Sequence, residues 1–309
     1  MAPQTNNPVL DHVVILVSPS FLASPPQWLT SALTVLPGGT HSDGSTFNKL
    51  VVFDDGVYLE LIAFAEGLDP AKRLAHRWGR KAEGQIVDWA FTMLEDEGDG
   101  KSTSEDKFVP VLERIRGVGS GFGYSDPWGM GRTRPDGVEL KWAISAPSVA
   151  EGSEKLRIEG GELPFWCLDR SPRAWRVPHG EEKNRQHPSG AVGVASLGIS
   201  VKGEEEVREL RKVYDAIADR EGKLVAVEGV HSEYSWKVDV PFAQEGGGVQ
   251  QSEIVLRKWS EDDLDLKTLS SDNVHISLRL FTKGERGRIE GAFGDRRLIV
   301  ELVPLGERA

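Results

Sequence analysis

Residues 54–63, DDGVYLELIA, and residues 135–144, PDGVELKWAI, decide how the chain folds. In each, Asp-Gly stands between two extended runs, FNKLVVF before the first and GMGRT before the second. Glycine reaches the positive φ that a tight two-residue turn needs, so both stretches read as β-hairpins. Aligned on Asp-Gly-Val, the two share a leucine step and an apolar exit. They read as an internal repeat, with two unrelated hairpins as the alternative. The alignment sets Lys141 against Glu60.

Outward from the first hairpin, LDHVVILV (10–17) is an apolar, β-branched run typical of a buried strand. PPQWLTSALTVL (25–36) predicts a helix, and GGTHS reads as a turn into a strand. Around the second hairpin, IVDWAFTML predicts a strand and SEDKFVPVLERIRG a helix that tolerates Pro110. LPFWCL is a further apolar run. From residue 191, VGVASLGISV reads as a strand and GEEEVRELRKVYDAIADRE as an amphipathic helix. The strands KLVAVEG, EIVLRKW, VHISLRLF and RRLIVELVP follow. The glycine-rich stretch 243–251 and the polar stretch 260–272 read as loops. Expected units are a frayed start at 1–9, βαβββ modules at 10–80 and 81–190, and a third, partial module at 191–309.

The composition narrows the function. The 309 residues hold 37 Lys and Arg against 48 Asp and Glu, for a net charge of −11. A chain this acidic has no general attraction for nucleic acid or an anionic membrane surface. A single cysteine, Cys167, excludes an internal disulfide and a cysteine-cluster zinc site. No apolar window approaches the roughly 18 residues of a membrane-spanning helix. MAPQTNNPVL lacks the pattern of a secretory signal, so a cytoplasmic protein is expected. GVGSGFG (117–123) lacks the dinucleotide spacing, so no nucleotide cofactor is expected.

LDHVVILV, GGTH…TFNKLVVFDDGVYLELIAF, GMGRTRPDGVELKWAIS, GGELPFWCLD and QHPSGA together resemble the glyoxalase-like branch of the vicinal oxygen chelate superfamily. The resemblance implies an α+β fold of paired βαβββ modules whose curled mixed sheets enclose a cleft. In many members the cleft holds a divalent metal that chelates neighbouring substrate oxygens. Members include isomerases, lyases, ring-cleaving dioxygenases and metal-free binding proteins, so the fold leaves the reaction open.

His12 and Glu60 match the positions from which the superfamily's metalloenzymes point a histidine and a glutamate inward. Both interrupt apolar strands, where an unpaired polar group is costly. The pair is the expected catalytic centre. With a metal, imidazole plus carboxylate suits Zn, Fe(II), Mn or Ni; without one it is a buried hydrogen-bonded pair. The other metal positions have changed: Trp89, Lys141 and Ser196 stand where ligands would. A metal would therefore recruit His41, His187 or Glu301. Expected substrate contacts are His41, Asn48, Tyr58, Trp89, Arg132, Arg134, Lys141 and Trp142, with arginine suited to an acidic group. The expected function is an enzyme acting on a medium-sized oxygenated, aromatic metabolite by isomerase, lyase or dioxygenase chemistry. The alternative is a metal-free binding or sequestering protein. The partner is a small molecule, and a homodimer is compatible.

Overall fold

β1 (Val9–Leu16) is buried along its whole length because it is paired along both edges in a closed sheet and packs apolar side chains on both faces. The computed structural model describes residues 7–95, 102–153, 156–225, 233–242, 251–259, 273–294 and 296–306. The expected glycine-rich loop and polar connection fall almost wholly outside the described residues, as do the first six residues. After β1 come β2 (Leu36–His41), β3 (Thr46–Val52), β4 (Tyr58–Phe64) and β5 (Gln85–Thr92). The short strands β6 (Phe122–Tyr124) and β9 (Pro147–Val149) pair with each other. Between and after them run β7 (Trp128–Thr133), β8 (Glu139–Ser145) and β10 (Phe165–Asp169). Eight of these strands close into a barrel in the order β1-β4-β3-β2-β7-β8-β10-β5.

Both Asp-Gly turns form as expected. Gly56 and Gly137 have φ of 80° and 85°, which only glycine adopts without strain. Period-two alternation then sorts β4: Leu59, Leu61 and Ala63 face the outer core, while Tyr58 and Glu60 face the barrel interior. The expected alignment of the two hairpins is one strand out. β4 pairs parallel with β1, and the strand that pairs parallel with β5 is β10, not β8. Lys141 on β8 is therefore no counterpart of Glu60. Phe165 and Cys167 of β10 line the interior instead.

The expected helix at 25–36 is cut short. α1 (Pro19–Ala23) and α2 (Gln27–Thr30) are brief, and Leu36 already begins β2, so GGTH lies in a strand. α3 (Pro70–Ala75) precedes β5, and α4 (Ser104–Gly117) forms where predicted, Pro110 included, behind a Thr103–Asp106 capping box. α5 (Arg173–Arg176) follows β10, and α6 (Glu204–Ala218) follows β11 (Ala191–Val201).

The C-terminal strands build a separate sheet. These are β12 (Lys223–Val225), β13 (Glu233–Val238), β14 (Ser252–Lys258), β15 (Val274–Thr282), β16 (Gly287–Phe293) and β17 (Arg296–Pro304). With β11 they run β12-β13-β14-β11-β15-β17-β16. β11 pairs parallel with β14 and antiparallel with β15, as β1 does with β4 and β5. β13 and β16 carried no signal that the sequence reading used.

The main core fills the space between barrel, second sheet, α4 and α6, with Trp89, Phe91, Phe108 and Trp166 fully buried. Asp55 in the first Asp-Gly turn joins the two sheets. Its carboxylate accepts from the backbone N–H of Val57 and of Val194 in β11, at 2.9 and 2.8 Å.

Candidate functional site

A cavity of about 340 Å³ opens into the barrel. Its polar floor is built from strands whose alternation aims one residue in two inward. His12 comes from β1, His41 from β2, Asn48 from β3, Glu60 from β4 and Arg132 from β7. Apolar walls come from Trp78, Met130, Trp142, Ile144 and Phe165, with half-exposed Trp128 at the rim.

Glu60 is the hub. His12 Nε2 lies 3.5 Å from its Oε2 and His41 Nε2 lies 3.6 Å from its Oε1. Asn48 Nδ2 donates to Oε1 at 2.5 Å, and Arg132 donates to Asn48 Oδ1 at 2.7 Å. Each imidazole is held from behind: His12 Nδ1 meets Asp11 Oδ2 at 2.6 Å, and His41 Nδ1 meets Thr46 Oγ1 at 2.6 Å. Tyr58 stacks on His12, ring centroids 4.7 Å apart. Burial pushes the His41 imidazole below its ordinary value against the opposing pull of Glu60, so it is neutral at pH 7.

Behind His12 lies a buried ion cluster that the sequence reading missed. Arg176 from α5 donates Nε and Nη2 to Asp169 at 2.7 and 2.8 Å, and Nη1 to Asp11 at 2.8 Å and Tyr58 Oη at 2.9 Å. Arg173 also pairs with Asp11. Burial alone would raise the Asp11 carboxyl, but the guanidiniums of Arg173 and Arg176 hold it well below the usual range. Asp11 is thus an ionised acceptor, which places the His12 proton on Nδ1 and turns Nε2 toward Glu60. One signal was available: a second polar residue, Asp11, beside His12 in an otherwise apolar strand.

Other expected contacts lie elsewhere. Trp89 points out of the barrel into the main core, where its Nε1 donates to Gly161 O. Arg134 sits beyond the end of β7 in the turn and pairs with Asp136. Lys141 is exposed on the outer face of β8. His187 is a buried tether whose ring joins Thr34 N at 3.0 Å and Val52 O at 3.0 Å. Glu301 belongs to the second sheet, half-exposed and paired with Arg279 at 2.8 Å.

Over residues 10–214 the chain matches the glyoxalase-like domain. The chain belongs to that family. Among solved structures, this glyoxalase-like protein is similar to a hypothetical protein from Staphylococcus aureus. That likeness covers 96% of this chain and 100% of the other at 12% identity and a TM-score of 0.62, which bears on fold. Weaker likenesses, each at a TM-score of 0.44, are to two further structures. One is a halotolerant catechol dioxygenase, at 8% identity over 97% of this chain and 88% of that one. The other is a fusion of a xylose isomerase-like TIM barrel with 4-hydroxyphenylpyruvate dioxygenase, at 13% identity over 91% of this chain and 37% of that one. No curated protein matches the chain.

The metal suggested by the superfamily resemblance can be tested against the donors of this glyoxalase-like barrel. Atoms about 2.1 Å from one tetrahedral ion lie about 3.4 Å apart, close to the His12–Glu60 and His41–Glu60 separations. But the two imidazoles approach opposite oxygens of Glu60, one of which Asn48 already occupies. Among the described residues no group of three or more His, Cys, Asp and Glu side chains is placed to hold a metal ion. The later barrel strand β10 supplies apolar Phe165 and a single thiol, Cys167, to the same interior. The residues do not form an assembled metal centre.

Proposed function

We propose that the barrel cavity binds a medium-sized oxygenated, aromatic metabolite and that Glu60 and His12 transfer a proton on it, as in an isomerase or lyase. The observation that carries this reading is the Glu60 carboxylate, 6% exposed at the cavity floor with an imidazole Nε2 within 3.6 Å of each oxygen. Stability alone would favour Val or Leu at both strand positions. Carboxylate and imidazole in this arrangement are suited to general acid–base work. Glu60 takes a proton from a carbon next to the substrate's oxygenated centre. His12 Nε2 shares it, and its return to a neighbouring atom completes an isomerisation with no change in atoms or charge. The Asp11 carboxylate keeps His12 in the orientation this needs. Trp78, Trp142 and Phe165 favour an aromatic body and exclude water.

The test is solvent deuterium incorporation into enolisable aryl ketones, followed by proton NMR. Exchange by the native protein should fall by about 10²-fold or more in Glu60→Gln and in His12→Ala. If both variants exchange at the native rate, the pair is structural.

A second reading, a binding protein without turnover, is favoured by the apolar Phe165 and Cys167 that β10 presents to the interior. It predicts ligand affinity with no deuterium exchange in any variant.

A further inference from the structure

Three arginines line the cavity, and two are already engaged. Arg176 is saturated by Asp11, Asp169 and Tyr58, and Arg77 pairs with Asp88 at 2.7 Å. Arg132 differs. It is 5% exposed, and among the described residues no carboxylate lies within ion-pair distance of its guanidinium. Two of its nitrogens donate, Nη1 to Asn48 Oδ1 at 2.7 Å and Nη2 to Arg176 O at 3.4 Å. Its Nε is buried with no hydrogen-bond partner. A guanidinium offers five N–H donors, and a buried cation left partly unsatisfied is costly. The nearest compensating charge, Glu60, is kept one amide away because Asn48 stands between them.

We infer that Arg132 is the anchor for an anionic group on the ligand, and that the cavity takes an aryl carboxylate. The inference deepens the proposed function and rests on its aromatic cavity. Arg132 and Met130 project from the same face of β7, and Met130 is in register with Trp142 on β8. An aromatic ring on the Met130–Trp142 wall thus sets its carboxylate toward Arg132 and its adjoining atoms toward Glu60. One guanidinium without a carboxylate partner suits a monoanion. A phosphate dianion would need a further cation, and Arg77 and Arg176 are taken. The binding site also explains the seam of the barrel: His41 and Arg132 are register partners where β2 meets β7, so closure itself places an imidazole beside the anion anchor. Of the three expected cations Arg132, Arg134 and Lys141, only Arg132 reaches the interior.

The test uses 1-naphthoate and its uncharged isostere 1-naphthamide, with binding followed by quenching of tryptophan fluorescence. Native protein should bind the acid at least about tenfold more tightly than the amide, the effect of one charge-assisted contact. Arg132→Gln should bring the acid down to the level of the amide and leave the amide unchanged. Arg132→Lys, which keeps the charge, should hold part of the preference and covers the case in which the glutamine variant does not fold. Equal affinity of the native protein for the two probes, or a preference that survives in Arg132→Gln, overturns the anchor while leaving the aromatic cavity in place. Binding of neither probe at millimolar concentration overturns both.

Discussion

The barrel and the C-terminal sheet are built on similar strand plans, and one of them closes. In both, a long first strand pairs parallel on one side and antiparallel on the other. One irregularity of each strand corresponds. β1 shifts register between Leu10 and His12, and β11 shifts between Val194 and Ser196, so His12 and Ser196 follow equivalent bulges. The barrel closes through two residue pairs, Thr40–Thr133 and His41–Arg132. Among the described residues the second sheet has no such pairing between β12 and β16. The outcome differs in chemistry as well as shape. In the closed sheet Asp11, Asp169 and Arg176 are buried and compensate one another; on the open one, Arg279 and Glu301 remain half in solvent. Closure converts a surface of ordinary charges into a site.

The largest expected effect tests that conclusion directly. Arg176→Met leaves Asp11 and Asp169 buried without their main partner and should cost about 3–5 kcal/mol in chemical denaturation. Arg279→Met breaks an ion pair of the same kind on the open sheet and should cost less than about 1 kcal/mol. Similar costs at the two positions would remove the distinction.

A pH series probes the joint between the two sheets. Burial raises the Asp55 carboxyl to about 7, against the N–H donors of Val57 and Val194. A pKa raised on folding adds stability that is complete below the unfolded value, near 4, and lost as pH rises through about 7. The native melting temperature should therefore carry a decline between about pH 4 and 8 that Asp55→Asn lacks. The same profile in both would place the titration elsewhere.

The smallest effect concerns the seam. A Cβ on Gly39 of β2 would meet Thr133 O at 2.5 Å, so Gly39→Ala should cost about 1–3 kcal/mol and loosen the β2–β7 pairing. Gly287 of β16 has nothing within 4 Å, and Gly287→Ala should stay within about 0.5 kcal/mol of the native protein by thermal denaturation. Equal effects would show that closure places no special demand on β2.

Much of the first half was legible. His12, Asn48, Tyr58 and Glu60 lie on strands whose alternation and turn chemistry are local, and the family resemblance paired His12 with Glu60 on them. What escaped depended on long-range pairing. The repeat of Asp-Gly-Val invited an alignment of β4 with β8, whereas the strand beside β5 arrives only after a long connection, as β10. Trp89 was misplaced because an indole suits a core and a ligand wall equally well; only the side of the sheet decides. Arg132 and Arg134 share a period-two face, but β7 ends at Thr133, and Arg134 folds back on Asp136. Arg176 lies in a four-residue helix inside a Pro- and Gly-rich stretch, where nothing local marks a residue destined for a buried ion cluster.

The open sheet also has to solve a problem the barrel lacks, which is to keep its outermost strands from recruiting another chain. A free strand presents unpaired N–H and C=O groups and is a template for aggregation. On β12 an exposed charge, Lys223, works against such pairing. β16 carries two exposed charges of opposite sign, Arg288 and Glu290, in its first half. It is also screened by the barrel's own helices, as Phe293 packs on Phe21 at 4.9 Å and Trp28 fits so closely over Gly291 that no side chain could stand there. The short helices α1 and α2 thus act as guards for a strand more than 250 residues away in sequence.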